Sequence, residues 1–242
     1  MGKYFNVTVK PTIAASKQAL AAFADGDVLF DWTAFDVPKG SNRLMTAMAI
    51  SKNADGAVNA HALNLIFAKT VDNVAPTSIG TIHATANGEG YYNHLLATMF
   101  HETADNDALL DNVGMHVFNH NRMGTCEFVL TGEPESGTNI GYDRLYVAST
   151  SIDDTPTFAS TIQCDGIQAI TQNVLTVKTT SAARTFAPGD IIHDEDDRLL
   201  GTVKTVDSST QMTMVDNLAN ATVNNKDCYN INPYIIHLSF ER

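Results

Sequence analysis

Short runs that alternate apolar and polar residues, each closed by a turn signal, recur along this 242-residue chain. Residues 4–10 (YFNVTVK) are the first of them, with the period of two that places alternate side chains on opposite faces of a strand. Residues 27–40 (DVLFDWTAFDVPKG) are β-rich and stop at a proline and a glycine. Residues 43–51 and 62–70 flank KNADGAVN, whose Asp55-Gly56 pair is a strong tight-turn signal, so the two runs are expected to form a hairpin. Further strands are expected at 79–86, 91–102, 115–120, 126–132 and 144–151. Helical signal is confined to residues 16–24, which are helix-forming but short and could equally be a strand leading into Gly26, and to 104–114, which has room for one turn. Such a series of short strands predicts an all-β fold, a β-sandwich of jelly-roll type.

The texture changes near residue 166. From there to residue 230 the runs NVLTVKTT, FAPGDIIHD, LLGTVKTVDSSTQMTMVD and KDCYNIN read as small hairpins of ordinary strand length. The closing PYIIHLSFER is strongly strand-like again and suits the first sandwich. The expected organisation is a main β-sandwich of residues 1–165 plus 231–242, with residues 166–230 inserted as a small, outward-facing β module. Such insertions are tolerated because loop-closure cost grows slowly with length.

Composition narrows the function. A formal net charge of −12 opposes nonspecific binding to nucleic acid or anionic membrane, since both need displaced counterions and basic clusters. No apolar run reaches the roughly 18 residues of a membrane span. The first ten residues carry no long apolar stretch, so no secretory signal is expected, and Asn6 stands where a myristoylation motif needs Ser or Thr. Three cysteines, Cys126, Cys164 and Cys228, form neither a metal pattern nor an even disulfide set, and are read as buried reduced thiols. That reading places folding in a reducing cytoplasm.

The run His193-Asp194-Glu195-Asp196-Asp197 raises the question of a metal or acid–base site. A calcium loop needs alternating ligands, then glycine and a distal glutamate, whereas Arg198 occupies the third alternate place. Glycosidase carboxylates come from opposed cleft walls rather than one hairpin tip. The run is therefore read as the solvated tip of a turn, with Gly189 and Gly201 outside it. His116 and His120 would share one strand face, and with His101 and Glu102 they make a drawable zinc set, with His94 nearby. No local motif supports it, and ordinary core or surface histidines are the better reading. NGEGYYN (87–93) has two glycines of a dinucleotide fingerprint, lacks the third at Asn93, and reads as a turn. Phe30, Trp32 and Phe35 are assigned to the sandwich core rather than to a sugar-stacking platform, Phe30 and Trp32 sharing one face. No catalytic, cofactor-binding or metal-binding residue is assigned, and the chain is not expected to be an enzyme.

Residues GDVLFDWTAFDVPKGSNRLMTAMAI, RLYVASTSIDDTPTFAST, PGDIIHDEDDRLLGTVKTVDSSTQMTM and IIHLSFER together resemble virion structural proteins of tailed bacteriophages, above all capsid decoration (cement) proteins. The resemblance is one of texture and architecture across most of the chain, without a specific catalytic signature. It implies a protein made in the host bacterial cytoplasm that binds the outer capsid surface, bridges subunits of the major capsid protein and self-associates as a homo-oligomer. The alternatives are a virion receptor-binding or adhesion protein, a tail or neck component, and a histidine-based metal-dependent enzyme.

Overall fold

The structure is a computed structural model that describes residues 3–20, 22–52, 62–102, 108–110, 113–118, 128–133, 141–152, 156–178 and 185–242. Strands β1 (Tyr4–Val9), β3 (Ser41–Lys52), β6 (Ala108–Leu110), β7 (Val113–Phe118), β8 (Phe128–Thr131) and β15 (Tyr234–Glu241) form one antiparallel sheet, in the order β1-β15-β3-β7-β6 with β8 also on β3. Strands β2 (Val28–Pro38), β4 (Ala62–Lys69), β5 (Leu95–His101) and β9 (Tyr142–Ile152) form the second, in the order β2-β9-β4-β5. Setting aside short β6 and β8, the eight long strands of the sandwich run 1-8-3-6 in one sheet and 2-7-4-5 in the other. That is the double Greek key of a jelly roll.

Alternation explains why the two sheets face each other. In β15, Tyr234, Ile236, Leu238 and Phe240 are buried, while Ile235, His237, Ser239 and Glu241 between them are half-buried on the other face. The buried set meets Phe30, Phe35, Leu63, Leu65, Phe67, Leu145 and Val147 of the second sheet in one continuous core. Strand β9 is buried on both faces from Leu145 to Ser151, because a second cluster of Val28, Ile79, Tyr91 and Ala148 covers its outer side. That cover comes from the segment between β4 and β5, held down by Ile79 N–H donating to Asp31 Oδ1 at 3.1 Å and by Trp32 Nε1 donating to the Thr77 carbonyl at 2.8 Å.

Several local expectations are corrected. Strands β3 and β4 do not pair, so the chain between them crosses from one sheet to the other instead of closing a hairpin; Asp55-Gly56 lies outside the described residues. Residues 79–86 form no strand; their bridges are isolated ones, Ile82 with Val28 of β2 and Thr85 with Asp27 just before it. Residues 91–102 begin with a 3-10 turn at Tyr92–His94 before β5. Of residues 16–24, left open between helix and strand, the structure makes a single helical turn at their start, α1 (Ala15–Gln18), and part of 104–114 is the strand pair β6–β7. Phe30 and Trp32 do not share a face. The β2–β9 register shifts between Phe30 and Thr33, so Phe30 enters the main core while Trp32 turns outward against Tyr91, with ring centroids 5.3 Å apart.

Between β9 and β15 the chain builds a smaller sheet from β10 (Val174–Thr176), β11 (Ile191–Asp194), β12 (Leu199–Ser208), β13 (Gln211–Met214) and β14 (Cys228–Asn230), in the order β10-β13-β12-β11-β14. Its core runs from Ile162 to Cys228, includes Leu175, Phe186, Ile192, Leu200, Met212 and Met214, and shares no residue with the core of the sandwich. Strand β12 serves both halves of this sheet: its first residues pair with β11 and its later ones with β13. The β11–β12 register shifts beside Gly201, which sits at φ +155°, where an added Cβ would lie 3.1 Å from Met214 Cε.

Candidate functional site

The acidic run at the end of β11 is a turn, as its composition demands; Asp196 and Asp197 are exposed, as expected of a solvated tip, but the first carboxylate is not. Asp194 is fully buried. Its Oδ1 accepts the backbone N–H groups of Asp196 at 3.1 Å and Arg198 at 3.0 Å, and its Oδ2 pairs with the Arg198 guanidinium. The Asp197 N–H closes back onto the Asp194 carbonyl at 2.9 Å, with Asp197 itself at φ +62°. Glu195 and Asp196 both reach Lys226 Nζ, at 2.6 and 3.1 Å. The negative charges that sequence spacing placed on an open tip are thus spent on holding the tip's own backbone and the strand beside it.

The last carboxylate reaches out of the small unit. Asp197 Oδ1 accepts the Ser16 backbone N–H at 3.0 Å. The first turn of α1 has no side-chain cap of its own, since Ala14 stands at the N-cap position; Asp197 supplies that acceptor from elsewhere in the chain. Burial pushes the Asp197 carboxyl up, but hydrogen bonds from the Ser16 side chain and from the Ser16 and Ala15 backbone outweigh it and hold the group below its usual value. The same seam carries Gln18 Nε2 donating to the Ile13 and Asn230 carbonyls, at 2.8 and 2.9 Å, and a Lys52–Asp190 ion pair at 2.9 Å. Specific polar contacts therefore join the sandwich and the small unit.

Tyr229 lies in this seam, 2% exposed, with its hydroxyl 3.5 Å from the Ser160 N–H. Burial, and then the negative charges of Asp227 and Glu195, push its phenol from 10.0 up to about 12. Burial also raises Tyr234 well above its ordinary value. A phenol raised on folding favours the neutral folded state. Its contribution is complete below pH 10 and is lost as pH climbs toward about 12. The melting temperature is therefore expected to fall across that window, and to fall less in Tyr229→Phe. Equal slopes for the two proteins, followed by circular dichroism, would show that Tyr229 ionisation plays no part.

Of the drawable zinc set, the structure brings together His101 and His116, both buried, with rings 5.3 Å apart and nearly perpendicular. His116 Nε2 lies 2.8 Å from Ser51 Oγ, and His101 packs on Phe118 at 5.7 Å. Glu102 is exposed, and His120 lies outside the described residues. His94 belongs to another contact, with Nδ1 2.9 Å from the Lys69 carbonyl. Among the described residues no three His, Cys, Asp or Glu side chains converge as metal ligands. NGEGYYN folds as a turn in which Asn87 Oδ1 accepts the Glu89 N–H at 3.1 Å. Sequence reasoning missed one neighbourhood: Cys164 and Cys228, 64 residues apart, meet with their sulfurs 3.3 Å apart. Counting three cysteines gives no sign of this, because the contact is made by strand register; Cys126 lies outside the described residues.

No known protein family matches the chain, and no curated protein is similar to it. Among solved structures, a crystal structure of Cucumber Necrosis Virus is aligned over 98% of this chain and 95% of the other, at 9% identity and a TM-score of 0.12. At that score the alignment carries no argument about either fold or function.

Proposed function

We propose that the protein is a non-enzymatic structural component of a tailed-bacteriophage virion, one that decorates the outer capsid surface and bridges subunits of the major capsid protein. One observation carries this reading: the two sheets of the jelly roll are treated differently on their outer faces. The sheet containing β9 is covered by the segment between β4 and β5. The outer face of the sheet containing β15 instead presents apolar side chains in cross-strand register. Ile235, Ile50 and Met115 form one row, and His237, Met48 and Val117 the next, with Val117 45% exposed. Val129 on β8 and Tyr4 on β1 are more exposed still. An alternating strand with one face on the core ordinarily turns polar residues outward, and an apolar face rimmed by Arg43, Glu241 and Thr8 has the character of an interface. The jelly roll is a common plan for capsid-associated domains, a likeness of fold rather than of site.

Many copies on one lattice need only modest individual affinity, because contacts to several subunits add. The purified protein is expected to bind expanded capsids saturably, at a fixed ratio per capsomer. Val117→Asp is expected to weaken that binding by more than about tenfold with an unchanged melting temperature, as for a central interface residue. Absence of binding to expanded capsids would overturn the reading. A second reading, host adhesion by the small unit, draws on Ile167 and Ile170, 81% and 56% exposed. Copy number in purified virions separates the two, since a shell protein scales with capsomers and an adhesin with tail fibres.

A further inference from the structure

The small unit is entered and left through one narrow contact. The Cys164 N–H donates to the Lys226 carbonyl at 2.9 Å, and the Cys228 N–H to the Ile162 carbonyl at 2.7 Å, around the isolated bridge Gln163–Asp227. Cys164 and Cys228 each lie one step beyond that bridge, so their side chains leave its opposite face together, as diagonal neighbours across the two segments. Both are fully buried in the core of the small unit, and their sulfurs touch at 3.3 Å. Cysteines placed only as small apolar filler have no reason to converge from positions 64 residues apart at the neck of a unit.

We propose that Cys164 and Cys228 are a redox modification site, at which a peroxide converts the two thiols into a disulfide that ties the entry of the small unit to its exit. The Cys164 thiolate attacks one peroxide oxygen; the O–O bond breaks and hydroxide leaves, giving a sulfenic acid on Cys164. Cys228, having given up its proton, attacks that sulfur and displaces the second hydroxide. Two thiols and one hydrogen peroxide thus become one disulfide and two waters. Either sulfur can donate in the 3.3 Å contact. That hydrogen bond holds the Cys164 thiol below its usual value and, with burial, pushes Cys228 well above, which favours Cys164 as the attacking group.

A disulfide sulfur–sulfur bond is about 2.05 Å, so the sulfurs must approach by about 1.3 Å from their 3.3 Å contact. A movement of that size is compatible with the place. The two segments meet there through one isolated bridge and three backbone hydrogen bonds rather than a long ladder, although Cys228 also pairs with Asp194 of β11 and Cys164 with Val177. Because both thiols are buried, the peroxide gains access as the neck opens transiently. The link closes a 64-residue span, which restricts the unfolded chain and raises the stability of the small unit. The inference does not depend on the role of the protein in a virion.

The test uses the full chain, reduced and then treated with hydrogen peroxide, quenched, denatured and alkylated. Mass spectrometry is expected to show the loss of two hydrogens, with the peptide carrying Cys164 joined to the one carrying Cys228. Dithiothreitol should reverse the link, and the oxidised protein should melt at a higher temperature than the reduced one. Cys126→Ser should behave in the same way, and Cys228→Ser should form no link. Wild-type protein alone is sufficient for the decision if a variant does not fold. Full alkylation of both thiols after peroxide, a link involving Cys126 instead, or Cys164 advancing to a sulfinic acid while Cys228 stays reduced would each overturn the proposal.

Discussion

Replacing Asp194 with alanine is expected to destabilise the small unit by about 2–6 kcal/mol, because it leaves two backbone donors of the turn without their buried acceptor, at about 1–3 kcal/mol each, while Arg198, its side chain 36% exposed, falls back on solvent. The side chain is fully buried and supports three groups at once: the Asp196 and Arg198 N–H groups and the Arg198 guanidinium. Buried pairs can often be exchanged for apolar pairs at little cost, but here the double variant Asp194→Leu with Arg198→Met should not recover the loss. It would leave two backbone donors of the turn without their acceptor, each at about 1–3 kcal/mol. Asp194→Asn keeps one acceptor oxygen and should fall between. Urea denaturation measures all three. A loss below about 1 kcal/mol for Asp194→Ala, a size typical of an exposed pair, would mean that the turn does not depend on this carboxylate.

The acidic run also shows what the sequence could and could not convey. Its turn was legible because Asp at such density, between Ile191-Ile192 and Leu199-Leu200, fits only a strand-to-strand connection. Its distant contacts were not, because Lys226 and Ser16, which receive Glu195, Asp196 and Asp197, lie 30 or more residues away along the chain. The same division holds elsewhere. β1 and β15 were visible as alternating runs, but nothing local says that Tyr4 pairs with Glu241 or that the last strand lies inside its sheet between β1 and β3. The misplaced Trp32 has a similar origin. A bulge is one extra residue opposite a partner strand, invisible until the partner is known, yet it reverses the face of every side chain beyond it. Between β3 and β4, a turn signal such as Asp55-Gly56 does not say whether the next strand returns to the same sheet or crosses to the other.

That central place of the last strand makes Phe240→Ala the second large effect. Phe240 is fully buried, stacks on Phe5 of β1 at 5.2 Å and meets Phe35 of the opposite sheet at 6.3 Å, so its ring joins both layers of the jelly roll. Removing it leaves a void bounded by two sheets whose ladders limit collapse, at an expected cost of about 3–5 kcal/mol. Phe240→Leu, which retains most of the volume, should cost less. Val129→Ala, on the exposed outer face, should stay within about 0.5 kcal/mol. The losses are large against a total stability of about 5–15 kcal/mol. The only tryptophan, Trp32, lies in the sandwich, so its fluorescence follows that unit alone. Phe240→Ala should move the Trp32 transition to lower urea. If sandwich and small unit unfold separately, Asp194→Ala should leave that transition nearly in place; if both variants shift it equally, the contacts of Asp197, Gln18 and Lys52 across the seam bind the two cores into one cooperative unit. A Trp32 transition unmoved by Phe240→Ala would refute the place assigned to this ring in the core.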